Sequence, residues 1–419
     1  MKISKHAVAA AAVAAFTLVA GAAYAIDGGQ PASGPAWSAA WSAAAQRPSA
    51  GFGPNWSEAG FTDQTLRQVV RVTNGGDSVR IKLSNRFGAS PLEIAGATVA
   101  ESKEGAAVHP ESVRALTFAD DATAVIPAGG EIASDAVGLP VEALDSVAVT
   151  LYLKGATGPA TFHSQAWTDS YRATGDHLSD SAATAFTDRT NSWYYLTDVE
   201  VAGVAPRDDT VVAFGDSITD GFGATPGANR RWPDALADRL AAANRQRAVL
   251  NLGIGGNLVL NDSAWYGERS TVRFQRDVLD KPGVRTVILL QGVNDIGFSE
   301  APGQPTYQPG PDLSAEQIIA GYRTLIARAR AEGVRVIGAT LLPLAGSDHY
   351  SARAAAKWHA VNDWIRTSGE YDAVVDWAAA LADPSNPEAL APAYDSGDHL
   401  HPNDAGYRLM AETIDLNAL

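Results

Sequence analysis

Thr210-Val211-Val212-Ala213-Phe214-Gly215-Asp216-Ser217 is the stretch on which the fold turns. Its first five residues are apolar or β-branched with no polar alternation, as in a strand covered on both faces. Gly215-Asp216-Ser217 then breaks the run. Four similar runs follow, at Ala248 to Leu252, Thr286 to Leu290, Val334 to Leu342 and Ala373 to Asp376. Helical segments separate them. Arg231 to Asn244 has helical composition, with Pro233 tolerable in a first turn. In Ser314 to Glu332, residues Ile318, Ile319, Tyr322, Leu325, Ile326 and Ala329 share one face, and Gly333 is the stop. Ala352 to Ile365 is a further helix, and Asn403 caps a last one that ends near Ile414. Apolar strands alternating with helices predict an α/β domain built on a parallel sheet.

Toward the N-terminus the texture changes. From Leu66 to Val201, short runs are broken by turn residues. Val79, Ile81 and Leu83 alternate with Arg80 and Lys82, and Val147, Val149, Leu151 and Leu153 also recur at every second position. Period two fits strands with one buried face and predicts an antiparallel β-sandwich. Asn74-Gly75-Gly76-Asp77 reads as a hairpin turn. Ala205-Pro206-Arg207-Asp208-Asp209 breaks both patterns, so the expected division is a sandwich over residues 26–205 and a second domain over 206–419. Ala301 to Pro311 is a proline- and glycine-rich loop long enough to border a site.

Residues 1–25 read as an export signal. Lys2 and Lys5 precede an apolar run from Ala7 to Ala23, and Ala23-Tyr24-Ala25 supplies a small-x-small cleavage pattern. The run is short for a membrane span and lacks a stop-transfer flank. The expectation is a secreted or periplasmic protein starting near Ile26, with no membrane insertion after cleavage. The net charge is −15, and losing the signal, with two lysines and no acid, makes it more negative. Such a surface repels nucleic acid. The chain has no cysteine, which excludes thiol chemistry, zinc–thiolate sites and disulfides.

Four short motifs fall at strand ends or before the last helix. They are Gly215-Asp216-Ser217-Ile218-Thr219, Asn251-Leu252-Gly253-Ile254-Gly255-Gly256-Asn257, Gly292-Val293-Asn294-Asp295 and Asp398-His399-Leu400-His401-Pro402. The carboxyl ends of parallel strands share one edge, so these residues can converge in a crevice there. Acyl transfer needs what they carry. A serine hydroxyl is a weak nucleophile until an imidazole takes its proton, and the imidazole needs a carboxylate to hold its tautomer. The developing oxyanion needs donors placed in advance. Ser217, His401 and Asp398 suit the first roles. The N–H groups of Ser217 and Gly256 and the amide of Asn294 suit the oxyanion hole. Each motif alone is weak, since a Gly-Asp-Ser tripeptide is usually a turn. The glycine run lacks the lysine of a P-loop and the acid of a dinucleotide fingerprint. Their conjunction carries the reading. His401 is preferred to His399 because its three-residue offset from Asp398 lets the two side chains meet across one turn. Asp216 is expected as a cap and Asp295 as a brace for the loop of Asn294. His349 and His359 have no partner pattern and read as an ordinary loop and helix residue.

In this order and on these elements, the motifs resemble the blocks of the SGNH (GDSL-type) hydrolases over roughly Thr210 to Leu416. Trp41-Ser42-Ala43-Ala44 and Leu83-Ser84-Asn85-Arg86-Phe87-Gly88 are similar to secreted bacterial members with a β-rich N-terminal domain. The resemblance implies a flavodoxin-like three-layer αβα domain preceded by a jelly-roll-like sandwich. It implies Ser217 as nucleophile with Asp398 and His401, and Gly256 and Asn294 as oxyanion donors. His399 is a departure, since the family commonly has a non-titrating residue there. No cofactor and no metal are expected.

Arg231 and Trp232, Asn257, and Trp265 with Tyr266 are candidates for contacting substrate. Trp37, Trp41, Trp56, Trp167 and Trp193 are candidates for sugar stacking, although such tryptophans more often belong to a core. The expected partner is a small-molecule or glycan ester with a short acyl group, acetyl above all. Lysophospholipid and aryl esters, acyl transfer to a hydroxyl, and a non-catalytic glycan-binding protein of the same fold are the alternatives. Oligomeric state is not legible.

Overall fold

The computed structural model describes residues 37–203, 209–300, 306, 310 and 312–419. The signal segment 1–25, the expected boundary at 205/206 and most of the loop 301–311 lie outside them. Pro35–Leu419 packs as one compact unit containing two main hydrophobic cores.

One core fills a sandwich of two antiparallel sheets. The first sheet runs in the order Ser38–Ser42, Leu196–Ala202, Gly76–Ser84, Glu131–Ala133, with Val137–Val141 also on Gly76–Ser84. The second runs Asp188–Thr190, Ser170–Thr174, Gln64–Arg71, Ser146–Leu153, Gly96–Glu101, Arg114–Leu116. Val79, Ile81 and Leu83 from one sheet and Leu66, Val147, Val149 and Leu151 from the other are fully buried between them. That is the outcome the alternation predicts. Asn74 to Asp77 is not a hairpin turn. Gln64–Arg71 and Gly76–Ser84 stand in different sheets, so the segment carries the chain across the sandwich. Trp41, Trp56 and Trp193 belong to this core. Trp41 meets Trp193 edge-on at 4.8 Å, and Trp56 stacks on Tyr194 at 5.6 Å.

The second core surrounds a five-stranded parallel sheet. Its strands are β1 (Thr210–Gly215), β2 (Val249–Gly253), β3 (Val284–Leu290), β4 (Arg335–Ala339) and β5 (Ala373–Val375). The spatial order is β2-β1-β3-β4-β5, the flavodoxin-like arrangement. Helices of the αβα layers include α1 (Ser217–Asp220), α2 (Trp232–Ala242), α3 (Ser270–Phe274), α4 (Val293–Glu300), α5 (Ala315–Ala331), α6 (Ala352–Thr367), α7 (Trp377–Leu381) and α8 (Asp404–Glu412). Ser314 caps α5 in a capping box with Gln317, and Asn403 caps α8 through the N–H groups of Ala405 and Gly406. The strand order reverses between β1 and β3, which opens a crevice at their carboxyl ends.

The sandwich covers the β2 edge of this sheet. Thr73 Oγ1 accepts from the N–H of Val249 at 2.9 Å, satisfying a ladder donor on that edge. Among the described residues no helix is long and apolar enough to cross a membrane.

Candidate active site

β1 ends at Gly215, where the chain passes close to its neighbour. A Cβ on Gly215 would lie 2.3 Å from the carbonyl oxygen of Leu290 and 2.2 Å from Thr219 Oγ1. Glycine therefore permits the turn that starts α1 at Ser217. Asp216 caps that turn, its Oδ1 accepting from Ile218 N at 3.1 Å. Ser217 is placed at the sheet edge by a strand end, a cap and a single helical turn.

The loop before α8 brings the other partners. Ser217 Oγ lies 2.8 Å from His401 Nε2, and His401 Nδ1 lies 2.6 Å from Asp398 Oδ2. Asp398 Oδ1 accepts from the N–H groups of Leu400 and His401 at 3.0 and 2.8 Å. Partial burial works against the Asp398 charge, but these bonds outweigh it and hold the carboxyl well below the usual carboxylate range. Phe222 closes over the imidazole, with ring centroids 4.4 Å apart. A carboxylate, an imidazole and a hydroxyl are thus joined in one hydrogen-bonded line, the geometry that activates a serine.

Asn294 stands in the first turn of α4 after β3. Its Nδ2 donates to the carbonyl of Asn257 at 3.1 Å. Its Oδ1 lies 3.2 Å from His349 Nε2. Gly256 has φ of +73°, and a Cβ there would lie 2.5 Å from the ring of Tyr266, so the turn after β2 requires glycine.

A sequence model of the GDSL-like lipase/acylhydrolase family matches residues 213–409, the segment that carries all of these groups. Residues 213–409 belong to that family. No curated protein matches the chain. Solved structures that resemble it include a putative lipolytic protein of the G-D-S-L family from Desulfitobacterium hafniense DCB-2. That likeness has 25% identity, covers 49% of this chain and 96% of the other, and has a TM-score of 0.36. The acetyl xylan esterase AlAXEase is similar at 23% identity, over 49% of this chain and 96% of that one, with a TM-score of 0.37. A catalytic mutant of Axe2, an acetylxylan esterase from Geobacillus stearothermophilus, is similar at 21% identity, over 50% and 93%, with a TM-score of 0.38.

Within the GDSL-like domain, the substrate candidates separate. Trp232 is fully buried against Trp377, with ring centroids 5.0 Å apart, so it packs the core and does not meet substrate. Asn257 is also buried. Its Nδ2 donates to the carbonyls of Tyr266 and Glu268, and its Oδ1 accepts from Ser270 Oγ and Arg273 Nε, so the side chain ties loops together. Arg231 forms a two-pronged pair with Asp234 at 2.8 and 3.0 Å and is buried too. The carboxylate is committed to that guanidinium. Trp265 and Tyr266 are half-buried, and Tyr266 lies over Gly256. His399 is turned away, its Nδ1 2.6 Å from Asp395 Oδ2.

His349, read from the sequence as an ordinary loop residue, Arg273, which that reading passed over, and the expected cap Asp216 and brace Asp295 also shape the GDSL-like site. His349 holds the Asn294 amide from a loop without periodicity. Arg273 is fully buried beneath the sheet edge and donates to the carbonyls of Leu252 and Gly215, each at 2.8 Å, fixing the ends of β2 and β1. Burial pushes its pKa down to about 10 despite the nearby Asp277. Burial also pushes the carboxyls of Asp216 and Asp295 up to about 7. Asp295 accepts from Val259 N at 3.0 Å, bracing α4 against the loop after β2. Among the described residues no cluster of three or more His, Asp or Glu side chains is arranged to hold a metal ion.

Proposed function

We propose that this chain is an exported serine ester hydrolase that works through an acyl-enzyme, on short acyl groups with acetyl first among them. The single observation that carries the reading is the 2.8 Å approach of Ser217 Oγ to an imidazole whose far nitrogen is 2.6 Å from Asp398. In this mechanism Oγ bonds to the acyl carbon while its proton passes to His401 Nε2. The carbon–oxygen bond to the alcohol then breaks, and the alcohol oxygen takes that proton. Water repeats the sequence in reverse, giving the acid and restoring the hydroxyl. Ser217 N–H, Gly256 N–H and the Asn294 amide stabilise the oxyanion in both steps.

Short acyl groups are favoured because the oxyanion side is crowded. Tyr266 lies over Gly256, and Phe298 packs on His349 at 5.1 Å beside Asn294. Export is supported by the lysines and apolar run of residues 1–25, and the mature N-terminus should be Ile26 by mass spectrometry. The test of the chemistry is Ser217→Ala beside wild type on aryl esters with two to twelve acyl carbons. Wild type should release a burst of aryl alcohol, strongest with the shortest acyl groups, and the folded variant should lose nearly all turnover. A folded variant that keeps more than a few per cent of the rate sinks the mechanism.

A further inference from the structure

The His401 imidazole has to hold Nε2 on Ser217 Oγ, and its bond to Asp398 fixes only the far nitrogen. The Asp398 side chain is 39% exposed, so water competes for the carboxylate that orients the ring. A second restraint comes from Phe222, in the turn Gly221-Phe222-Gly223 that leaves α1. The Phe222 and His401 rings lie 4.4 Å apart at their centroids, tilted by 41°. Phe222 is tied at both of its backbone groups. Its N–H donates to the carbonyl of Ser217 at 2.9 Å, and its carbonyl accepts from the Tyr407 hydroxyl at 2.5 Å. One residue is therefore fastened to Ser217 by its backbone and laid on His401 by its ring. Its side-chain rotamer is what the backbone leaves free.

Trp167 of the sandwich stands against that ring. It meets Phe222 edge-on at 5.6 Å, with the ring planes at 85°. Trp167 is itself held with φ at +53°, in the left-handed region that a bulky residue rarely occupies. Strain of this kind is retained only where the surroundings over-determine it. Here the Trp167 carbonyl accepts from Gly227 N at 2.7 Å, and Gly227 lies on the loop that carries Phe222. Ala166 N donates to the carbonyl of Asn191 at 2.8 Å, which ties the preceding residue into the sandwich. The Phe222 loop is pinned from the far side too, since Asp404 of α8 accepts from Thr225 N and Oγ1, each at 2.8 Å. The indole is thus set in place behind Phe222.

We propose that Trp167 and Phe222 are positioning residues for His401: the indole holds the Phe222 ring, and that ring keeps the imidazole turned to Ser217. The assignment rests on the ester-hydrolase reading above. In that reading Nε2 takes the Oγ proton, hands it to the leaving oxygen, and repeats both transfers with water. The imidazole has to stay aimed throughout, while its own charge changes and the alcohol departs. A displacement of about 1 Å at such a centre can cost about 10²-fold in rate. Neither Phe222 nor Trp167 exchanges a proton or a bond with substrate, so their effect belongs in kcat and runs through His401. The sandwich then contributes to turnover through one chain of ring contacts, Trp167 to Phe222 to His401.

The experiment measures kcat and KM of the full chain for p-nitrophenyl acetate, with folding checked by thermal melts. It also records the downfield proton NMR resonance of His401 Nδ1–H, assigned by its loss in His401→Ala. Wild type, Trp167→Ala, Trp167→Phe and Phe222→Ala are compared. Trp167→Ala should lower kcat about tenfold and Phe222→Ala about 10²-fold, with KM changed less than about threefold. The resonance should broaden or move upfield in both, because the bond to Asp398 loosens as the ring swings. Trp167→Phe should recover most of the rate and the wild-type resonance. Its ring still meets Phe222, and Trp167 Nε1 has no partner among the described residues to lose. Phe222→Ala carries the test should Trp167→Ala not fold. A folded alanine variant with kcat within about threefold of wild type overturns the proposal and leaves the ester hydrolase standing. So does a loss confined to KM, a fallen kcat with an unmoved resonance, or a Trp167→Phe as slow as Trp167→Ala. A wild type that cleaves no aryl ester overturns the proposal and the reading beneath it.

Discussion

His349 Nε2 lies 3.2 Å from Asn294 Oδ1, and this contact sets which end of the amide is left to donate. Burial, reinforced by the nearby His401, pushes the His349 pKa down to about 4, so the ring is neutral above about pH 5. A neutral ring meeting a carbonyl oxygen through Nε2 donates from that nitrogen. Asn294 Nδ2 then faces the other way. One of its N–H groups goes to Asn257, and the second is the one that the proposed mechanism assigns to the oxyanion. Asn294→Ala is expected to cost on the order of 10²–10³ in kcat with little change in KM. His349→Ala is expected to cost about tenfold in kcat, since the amide survives unpinned. The double variant should be no slower than Asn294→Ala alone, because His349 acts through Asn294. Multiplying losses in steady-state kinetics would remove His349 from that role.

The two histidines that flank Leu400 part company in the structure. His399 has φ of +63°, and both its N–H and its ring Nδ1 are bound to Asp395, at 3.0 and 2.6 Å. His401 alone reaches Ser217. His401→Ala should therefore be nearly as inactive as Ser217→Ala, since such residues act as a unit. His399→Ala should keep most of the rate. Assays at one pH, with folding checked by thermal melts, decide it. A dead His399→Ala beside an active His401→Ala reverses the assignment.

Much of this architecture was legible in the sequence because each signal was local. The apolar run at Thr210 to Phe214, the cap at Asn403 and the offset between Asp398 and His401 all act within a few residues. The failures share the opposite property. Asn74 to Asp77 has turn chemistry, but no local feature says that its flanking strands lie in different sheets. Trp232 stands near Ser217 in sequence and faces the core because it opens α2 against Trp377. α1 is a single turn, too short to show a period. His163 and Gln165 meet Asp220 and Gly255 from more than fifty residues before Ser217, through folding of the sandwich alone.

The buried carboxyl of Asp295 carries a pH signature. Burial, with Asp216 nearby, pushes its pKa up to about 7 from 3.8. The unfolded chain releases this proton near 3.8, so the stability it contributes is full below that value. It is lost as the pH rises through about 7. Asp295→Asn keeps an acceptor for Val259 N and removes the titration. Melting temperatures at pH 5 and pH 8 should therefore differ less in the variant than in wild type. An equal or larger difference in the variant assigns the slope to other groups.

The last prediction concerns how the sandwich steadies the turn that carries Ser217. His163, in the sandwich strand Phe162–His163, places Nδ1 2.9 Å from the carbonyl of Ala44 and Nε2 3.0 Å from Asp220 Oδ1. A carbonyl only accepts, so Nδ1 donates. A neutral ring has one N–H, so donating to the carboxylate as well requires the charged imidazolium. Burial opposes that charge, but Asp220 outweighs it and the pKa is raised. Asp220 ends α1, three residues after Ser217, and its Oδ2 accepts from Gly255 N of the loop after β2 at 3.1 Å. One ion pair thus joins the sandwich, the Ser217 turn and the loop after β2. His163→Gln removes the counter-charge bonded to this buried carboxylate and leaves only the more distant Arg231 and Arg273, at a cost of up to about 3 kcal/mol. The raised pKa means that wild type holds this stability below about pH 6.5, the unfolded value, and loses it as pH climbs through the folded one. Urea melts at pH 6 and pH 9 should show the gap between wild type and His163→Gln narrowing at the higher pH. A gap that stays constant or widens there means that His163 is neutral in the folded protein and the ion pair does not exist.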